Sequence, residues 1–294
     1  MLMTFAATLL TALAVSAETD TTFAVKPGTR LEVSNFGGEI AVQSWDKNAV
    51  HVEATHSERV RISIEDSECC LTISASNRRG VPARVDYHIT VPPWMALTLS
   101  GVYTDVSVEG TKAEVSAETV NGDVRVRGGE GYLKLSSVQG VVDVEGARGR
   151  LELSSVNEGV NVADVAGEIS VEAVNGTVTI ERVRSKMVEA ETVNGDVTYL
   201  GSIEEGGRYR FASHNGDLIL GLPDHINAAI SVATFSGDFR SDFPVRISET
   251  RKGHRFDFTL GSGSAQIELE TFQGTVWLRR GEEKMKLKTK EDDR

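Results

Sequence analysis

The chain has 294 residues, 40% apolar and 25% charged, the make-up of a folded globular protein rather than a disordered one. A formal charge of −12, with no Lys/Arg cluster in its repeat region, is the wrong sign for a phosphate backbone, so nucleic acid is excluded as the expected partner. The two cysteines are adjacent, Cys69-Cys70, and give neither a disulfide framework nor metal-ligand spacing. Neighbours on a strand point to opposite faces, so one buried and one exposed thiol is expected, with intermolecular or vicinal pairing as the alternative.

In chain order, residues 5–15 form an apolar run that ends in Val15-Ser16-Ala17, a small-residue cleavage pattern ahead of Glu18. Residues 1–17 therefore read as a signal peptide, although Met1-Leu2-Met3-Thr4 carries no Lys or Arg. The run is too short to span a bilayer, and no later segment is apolar enough to do so. Leu31, Val33, Phe36, Gly37, Ile40 and Val42 then match one coil of a repeat that resumes at Leu97, Leu99 and Val102. Residues 43–96 interrupt it with four alternating strands: Val50/Val52/Ala54, Val60/Ile62/Ile64, Leu71/Ile73/Ala75 and Tyr87/Ile89/Val91. Pro92-Pro93 ends the last one, because proline cannot donate to a ladder. This insert reads as an antiparallel hairpin cap over the first coil, protecting an otherwise open edge.

Internal repetition dominates the rest. Val102, Val120, Val138, Val156 and Val174 are spaced by 18 residues; Val193 follows by 19, His214 and Phe235 by 21 each, and Phe272 by 37. Around them an apolar–Asn–Gly–Asp turn recurs, most clearly at Val120-Asn121-Gly122-Asp123 and Val193-Asn194-Gly195-Asp196. Short period-2 strands flank each turn, such as Leu133/Leu135 before and Val142/Val144 after. A unit this small cannot bury its apolar face alone, but stacked copies can. A left-handed hexapeptide helix shares the 18-residue period, yet Glu114, Arg150 and Glu168 fall where it needs aliphatic corners. Leucine-rich repeats lack their Leu/Asn consensus here. A sandwich or propeller would also alternate, but would not repeat equivalent residues at constant offset. The expected fold is all-β: a single-stranded parallel β-helix (β-solenoid) over residues 18–280. Its coils hold 18–21 residues, and right-handed winding is the default for parallel crossovers. Residues 243–260 read as an irregular stretch beside the last coils, and 281–294 as a charged, disordered tail.

The SNFGGEI start at residues 34–40, the YHITVPP strand at 87–93 and the VNGDV turns resemble the DUF4097 "putative adhesin" β-strand-repeat family of bacterial envelope proteins, over residues 23–280. The resemblance implies an envelope or surface protein, adhesin-like or scaffolding. Some members resemble accessory proteins of envelope-stress systems. It supplies no catalytic residues to carry over.

Two columns of side chains follow from the repeat. Asn121, Asn157, Asn175, Asn194 and Asn215 form a structural turn ladder whose stacked amides can bond from coil to coil. Asp196, Asp217 and Asp238 recur at one position, as do Asp105 and Asp123. On consecutive coils ~4.8 Å apart, such carboxylates must be solvated, bonded by turn amides, or bridged by a cation such as Ca²⁺. The dense Gly/Asp nonapeptide of calcium rolls is missing. No Gly-His-Gly turn accompanies the aspartates, as pectin-degrading β-helices would need. None of the six histidines shows metal spacing or a Ser/Asp partnership. No catalytic site or cofactor is expected. The expectation is a non-enzymatic exported protein, periplasmic or at the cell surface, with a protein or glycan partner. A carbohydrate-binding or carbohydrate-active β-helix is the alternative.

Overall fold

The computed structural model describes residues 16–67, 69–77, 83–245 and 254–281. Their 24 strands join into one sheet, and no helix occurs among the described residues. The expected leader falls almost wholly outside these residues, and so does the tail beyond Gly281.

The stack is built as the period requires. Coil 1 is β2 (Arg30–Ser44) and coil 2 is β7 (Leu97–Glu109), each a single strand bent at its middle. Coil 3 is β8 (Val115–Asn121) with β9 (Val124–Arg127), and coil 4 is β10 (Glu130–Gln139) with β11 (Val142–Glu145). Coil 5 is β12 (Arg148–Ser155) with β13 (Val160–Ala163). Coil 6 is β14 (Ala166–Ala173) with β15 (Val178–Glu181), and coil 7 is β16 (Met187–Asn194) with β17 (Val197–Leu200). Coil 8 is β18 (Arg208–Asn215) with β19 (Leu218–Leu222).

Neighbouring coils pair in parallel, with equivalent residues in register: Leu133 on Leu151, Leu151 on Ile169, Val142 on Val160. Alternation puts every second residue inside, so Leu133, Leu135, Val142 and Val144 are fully buried. The return side is closed by Ala147, Val165 and Val183, also buried. Later coils lengthen because their core residues are larger. Tyr199 packs on Phe211 and Tyr209, and seven residues (201–207) separate β17 from β18 where only two separate β9 from β10. The buried phenols find backbone partners in the connections: the Tyr199 hydroxyl donates to the Ser202 carbonyl of this longer segment, and the Tyr209 hydroxyl to the Ser185 carbonyl in the connection before β16.

The insert covers coil 1 as expected, but by a mixed route. β5 (Cys70–Asn77) and β6 (Arg84–Val91) lie parallel on the two halves of β2, extending the stack by one further coil. Antiparallel strands then flank this coil: β4 (Val60–Asp66) on β5, β3 (Ala49–Ser57) on β6, and β1 (Ser16–Ala24) on β3. The adjacent cysteines take the vicinal alternative. They are joined to each other rather than left as free thiols. They lie at the bend where Ser67 bonds back to the Cys70 carbonyl, so the in-and-out alternation of a strand interior does not apply to them.

The far end breaks chain order. β20 (Ala228–Thr234) and β21 (Phe239–Ser241) do not stack on coil 8. β23 (Ala265–Gln273) and β24 (Val276–Arg280) slot between, pairing with β18 and β19 on one side and with β20 and β21 on the other. They are coil 9, and β20/β21 are coil 10. β22 (His254–Leu260), inside the stretch read as irregular, runs antiparallel along the outer edge of β20.

Candidate functional site

The outward columns are the candidate site, and the turn between the two strands of each coil arranges them. Just inside the turn runs a buried hydroxyl column that the apolar pattern does not reveal. Thr119 donates to the Thr104 carbonyl, Ser137 to Gly122, Ser155 to Gly140, Thr192 to Gly176, Ser213 to Gly195 and Thr271 to Gly216. Each hydroxyl thus ties its strand to a turn of the preceding coil, satisfying a carbonyl that the bend leaves without a partner. The signal for it was the Ser/Thr recurring before most members of the exposed column, with Ala173 before Val174 as a gap.

The turn asparagines bond from coil to coil. Asn215 donates to Asn194, Asn194 to Asn175 and Asn175 to Asn157 at 2.8–3.2 Å, and Asn121 donates to Gln139. The ladder is interrupted where Asn157 turns to the Val138 carbonyl. Glycine is required beside it, since a Cβ on Gly140 or Gly176 would sit 1.9 Å from the carbonyl oxygen of the preceding turn.

The three-aspartate ladder needs correction. Asp196 and Asp217 do lie on adjacent coils, but Thr275 of coil 9 stands between Asp217 and Asp238. Asp238 is therefore two coil spacings, ~9.6 Å, from Asp217. The inserted coil is the reason: residue counting from 217 to 238 gives one period, while the chain bypasses a position and fills it later. The carboxylates are already engaged: the Asp217 amide donates to Asp196 and the Thr275 amide to Asp217, at 2.8 and 2.7 Å. Asp105 and Asp123 accept the amides of Asp123 and Val141 in the same way.

The apolar members of the repeat occupy the most unusual column. Phe36, Val102, Val120, Val138, Val156, Val174, Val193, His214, Phe272 and Phe235 stand at equivalent positions on coils 1 to 10, pointing outward. Its valines from Val120 to Val193 are 37–48% exposed and Phe235 is 67% exposed. At the coil spacing the column runs ~43 Å, well beyond the isolated apolar residues common on surfaces. Its ends are aromatic: Phe36 meets Tyr103 at 5.6 Å, while His214, Phe272 and Phe235 stack nearly parallel at 4.7 and 4.6 Å. A groove of about 630 Å³ follows the column, with Val156, Val174, Val193 and Phe272 on one side and Glu172, Glu191 and Glu270 on the other.

Elsewhere, Asp20, His51 and Glu53 cluster on the cap, with ligand atoms within 4.8 Å of one another. Nδ1 of His51 faces Asp20 and Nε2 faces Glu53, opposite edges of one ring, so a single ion could not take all three groups in this arrangement. On coils 4 and 5, Tyr132 donates to Glu152, which holds that carboxyl below its ordinary range and raises the phenol. No helix among the described residues is long and apolar enough to cross a membrane.

Fold and columns together define a capped, repeat-built parallel β-solenoid. Residues 165–279 match the family model of Toastrack DUF4097, the family that its VNGDV turns resemble. Three solved structures are similar. A "putative adhesin" from Bacteroides fragilis NCTC 9343 is 15% identical (TM-score 0.45), covering 90% of this chain and 97% of that one. A "putative adhesin" from Parabacteroides distasonis ATCC 8503 is 13% identical (TM-score 0.36), covering 89% and 97%. A "putative cell adhesion protein" from Clostridium sporogenes ATCC 15579 is 13% identical (TM-score 0.26), covering 90% and 100%. No curated protein matches the chain.

Proposed function

We propose that this is a non-enzymatic protein exported to the cell envelope, where it serves as an adhesin-like or scaffold molecule by docking a partner along its exposed apolar column. The observation that carries this reading is the continuity of that column over ten coils. Exposed apolar surface of this extent is costly in water unless something covers it. Export rests on the apolar run closed by Val15-Ser16-Ala17. Cleavage after Ala17 also suits the fold, because Glu18 to Ala24 would keep their register on β3.

The test is capture of envelope partners by the mature protein, compared with Val156→Asp and Val174→Asp. Both sites are exposed, so these changes should spare the fold and abolish binding. Binding unchanged in both variants would overturn the reading. Mass spectrometry should place the mature N-terminus at Glu18, and an intact Met1 in a cytoplasmic fraction would sink the export claim. A second reading, carbohydrate binding, is favoured by the open face of Phe235 at the end of the aromatic stack. A glycan array tests it, with Phe235→Ala as the variant expected to lose any signal. Polysaccharide cleavage abolished by Asp217→Asn would replace both readings with an enzyme.

A further inference from the structure

We propose that the partner along the apolar column is a second copy of this chain, docked antiparallel with coil 1 facing coil 10. The inference rests on the column being a docking surface, and names what docks there. Period is the first argument. The valines recur at the coil spacing of ~4.8 Å, and a ladder with that repeat interdigitates along its whole length only with another of the same repeat. A single extended peptide, rising ~3.3 Å per residue, falls out of step within a few coils. Area is the second. The column and the two outward columns beside it form a strip on the order of 40 by 18 Å, roughly 700 Å², near the ~800 Å² per partner of a standard interface.

Charge is the third, and it selects the register. A two-fold axis midway between coils 5 and 6 places each coil opposite the one whose number completes eleven. Val156 then meets Val174, Val138 meets Val193, and the aromatic ends Phe36 and Phe235 come together. In the glutamate-bearing column, two residues before each valine, Glu118 faces Ala212, Glu172 faces Ser154 and Glu191 faces Ser136. In the column beyond it, Lys134 faces Glu189, an opposite-charge pair made twice by symmetry. No like charges meet in either column. A slip of one coil destroys this. In one direction Glu118 faces Glu191 and Glu152 faces its own copy; in the other Glu172 faces its own copy and Lys134 faces Arg210. Like-charge juxtaposition is how interfaces reject wrong registers. On the opposite flank the amide ladders meet, Asn157 against Asn175 and Asn121 against Asn215. Amides can both donate and accept, so they are self-complementary. The contact is isologous and closes at two copies.

The experiment is sedimentation velocity on the mature chain over micromolar concentrations. Wild type should sediment as a dimer, and Val156→Asp and Val174→Asp as monomers with unchanged circular dichroism and melting temperature. Lys134→Glu and Glu189→Lys should each raise the dimer Kd on the order of tenfold. The double charge swap should return it to near the wild-type value, a rescue that no partner other than this chain in this register would give. A wild-type monomer, a dimer indifferent to the valine variants, or failure of the swap to rescue each overturns the proposal. A monomer whose capture of another envelope partner still depends on Val174 would overturn the dimer while leaving the docking role intact.

Discussion

Truncating Leu135 to alanine tests the stack at its centre. The side chain is fully buried on coil 4, between Ala117 of coil 3 and Leu153 of coil 5. Its neighbour Ala117 is already small, so collapse into the vacated space is limited and the cavity term adds to the lost transfer energy. A loss of about 3–4 kcal/mol is expected. With a urea m-value of ~3 kcal/mol/M, that lowers the midpoint by about 1 M. Leu135→Asp buries an unpaired charge, costing several kcal/mol more, and approaches the whole stability of a domain, ~5–15 kcal/mol. The assay is urea denaturation followed by far-ultraviolet circular dichroism and by tryptophan emission. Trp45 and Trp94 report the cap end, and Trp277, isolated by replacing the other two with Phe, reports coil 9. Because each coil touches only its neighbours, Leu135→Asp should separate the two tryptophan transitions. Asn161→Ala, an exposed outward position on β13 away from the apolar column, is the control and should stay within ~0.5 kcal/mol of wild type. A Leu135→Ala midpoint as close to wild type as that control would refute the core placement.

The order of the last coils is open to cross-linking. In a background with Cys69 and Cys70 replaced by Ser, Asp217→Cys with Thr275→Cys should form a disulfide. Asp217→Cys with Asp238→Cys should not, since two coil spacings exceed the ~7 Å limit between Cα atoms; the reverse result would restore chain order. Glu152 should titrate by NMR below the usual carboxylate range, and Tyr132→Phe should move it back up. Because its folded pKa lies below the unfolded one, its contribution to stability is present above the unfolded pKa and lost as pH falls through the folded value. A Glu152 midpoint unmoved by Tyr132→Phe would show the contact to be absent. Calcium and sodium at matched ionic strength should shift the melting temperature equally, because the amides of Asp217 and Thr275 already occupy the aspartates. A calcium-specific rise lost in Asp217→Asn would reinstate a cation site.

Much of this molecule was legible in its sequence. Alternation marked Leu133 and Leu135 as inward, the 18-residue offset stacked Leu133 on Leu151, and the Asn-Gly turns announced the amide ladder. These features are local or strictly periodic, so counting along the chain is enough to find them. Which way the recurring valines face, and what else shares their column, was not legible. Val120 repeats as regularly as Val124, yet one is outside and the other buried, because the bend at the turn shifts the phase of alternation. The order of the last coils was hidden for a different reason. Sequence spacing measures distance along the chain, whereas stacking depends on which edge remains open when a segment arrives. Counting along the chain is enough for the repeat, the inward faces and the turn chemistry. Packing at the far end sets the rest: coil 9 is filled by the last strands, Asp238 stands away from Asp217, and Phe272 lies between His214 and Phe235. A sheet edge accepts any strand with matching alternation, so that choice belongs to packing at the end of the stack and not to the period.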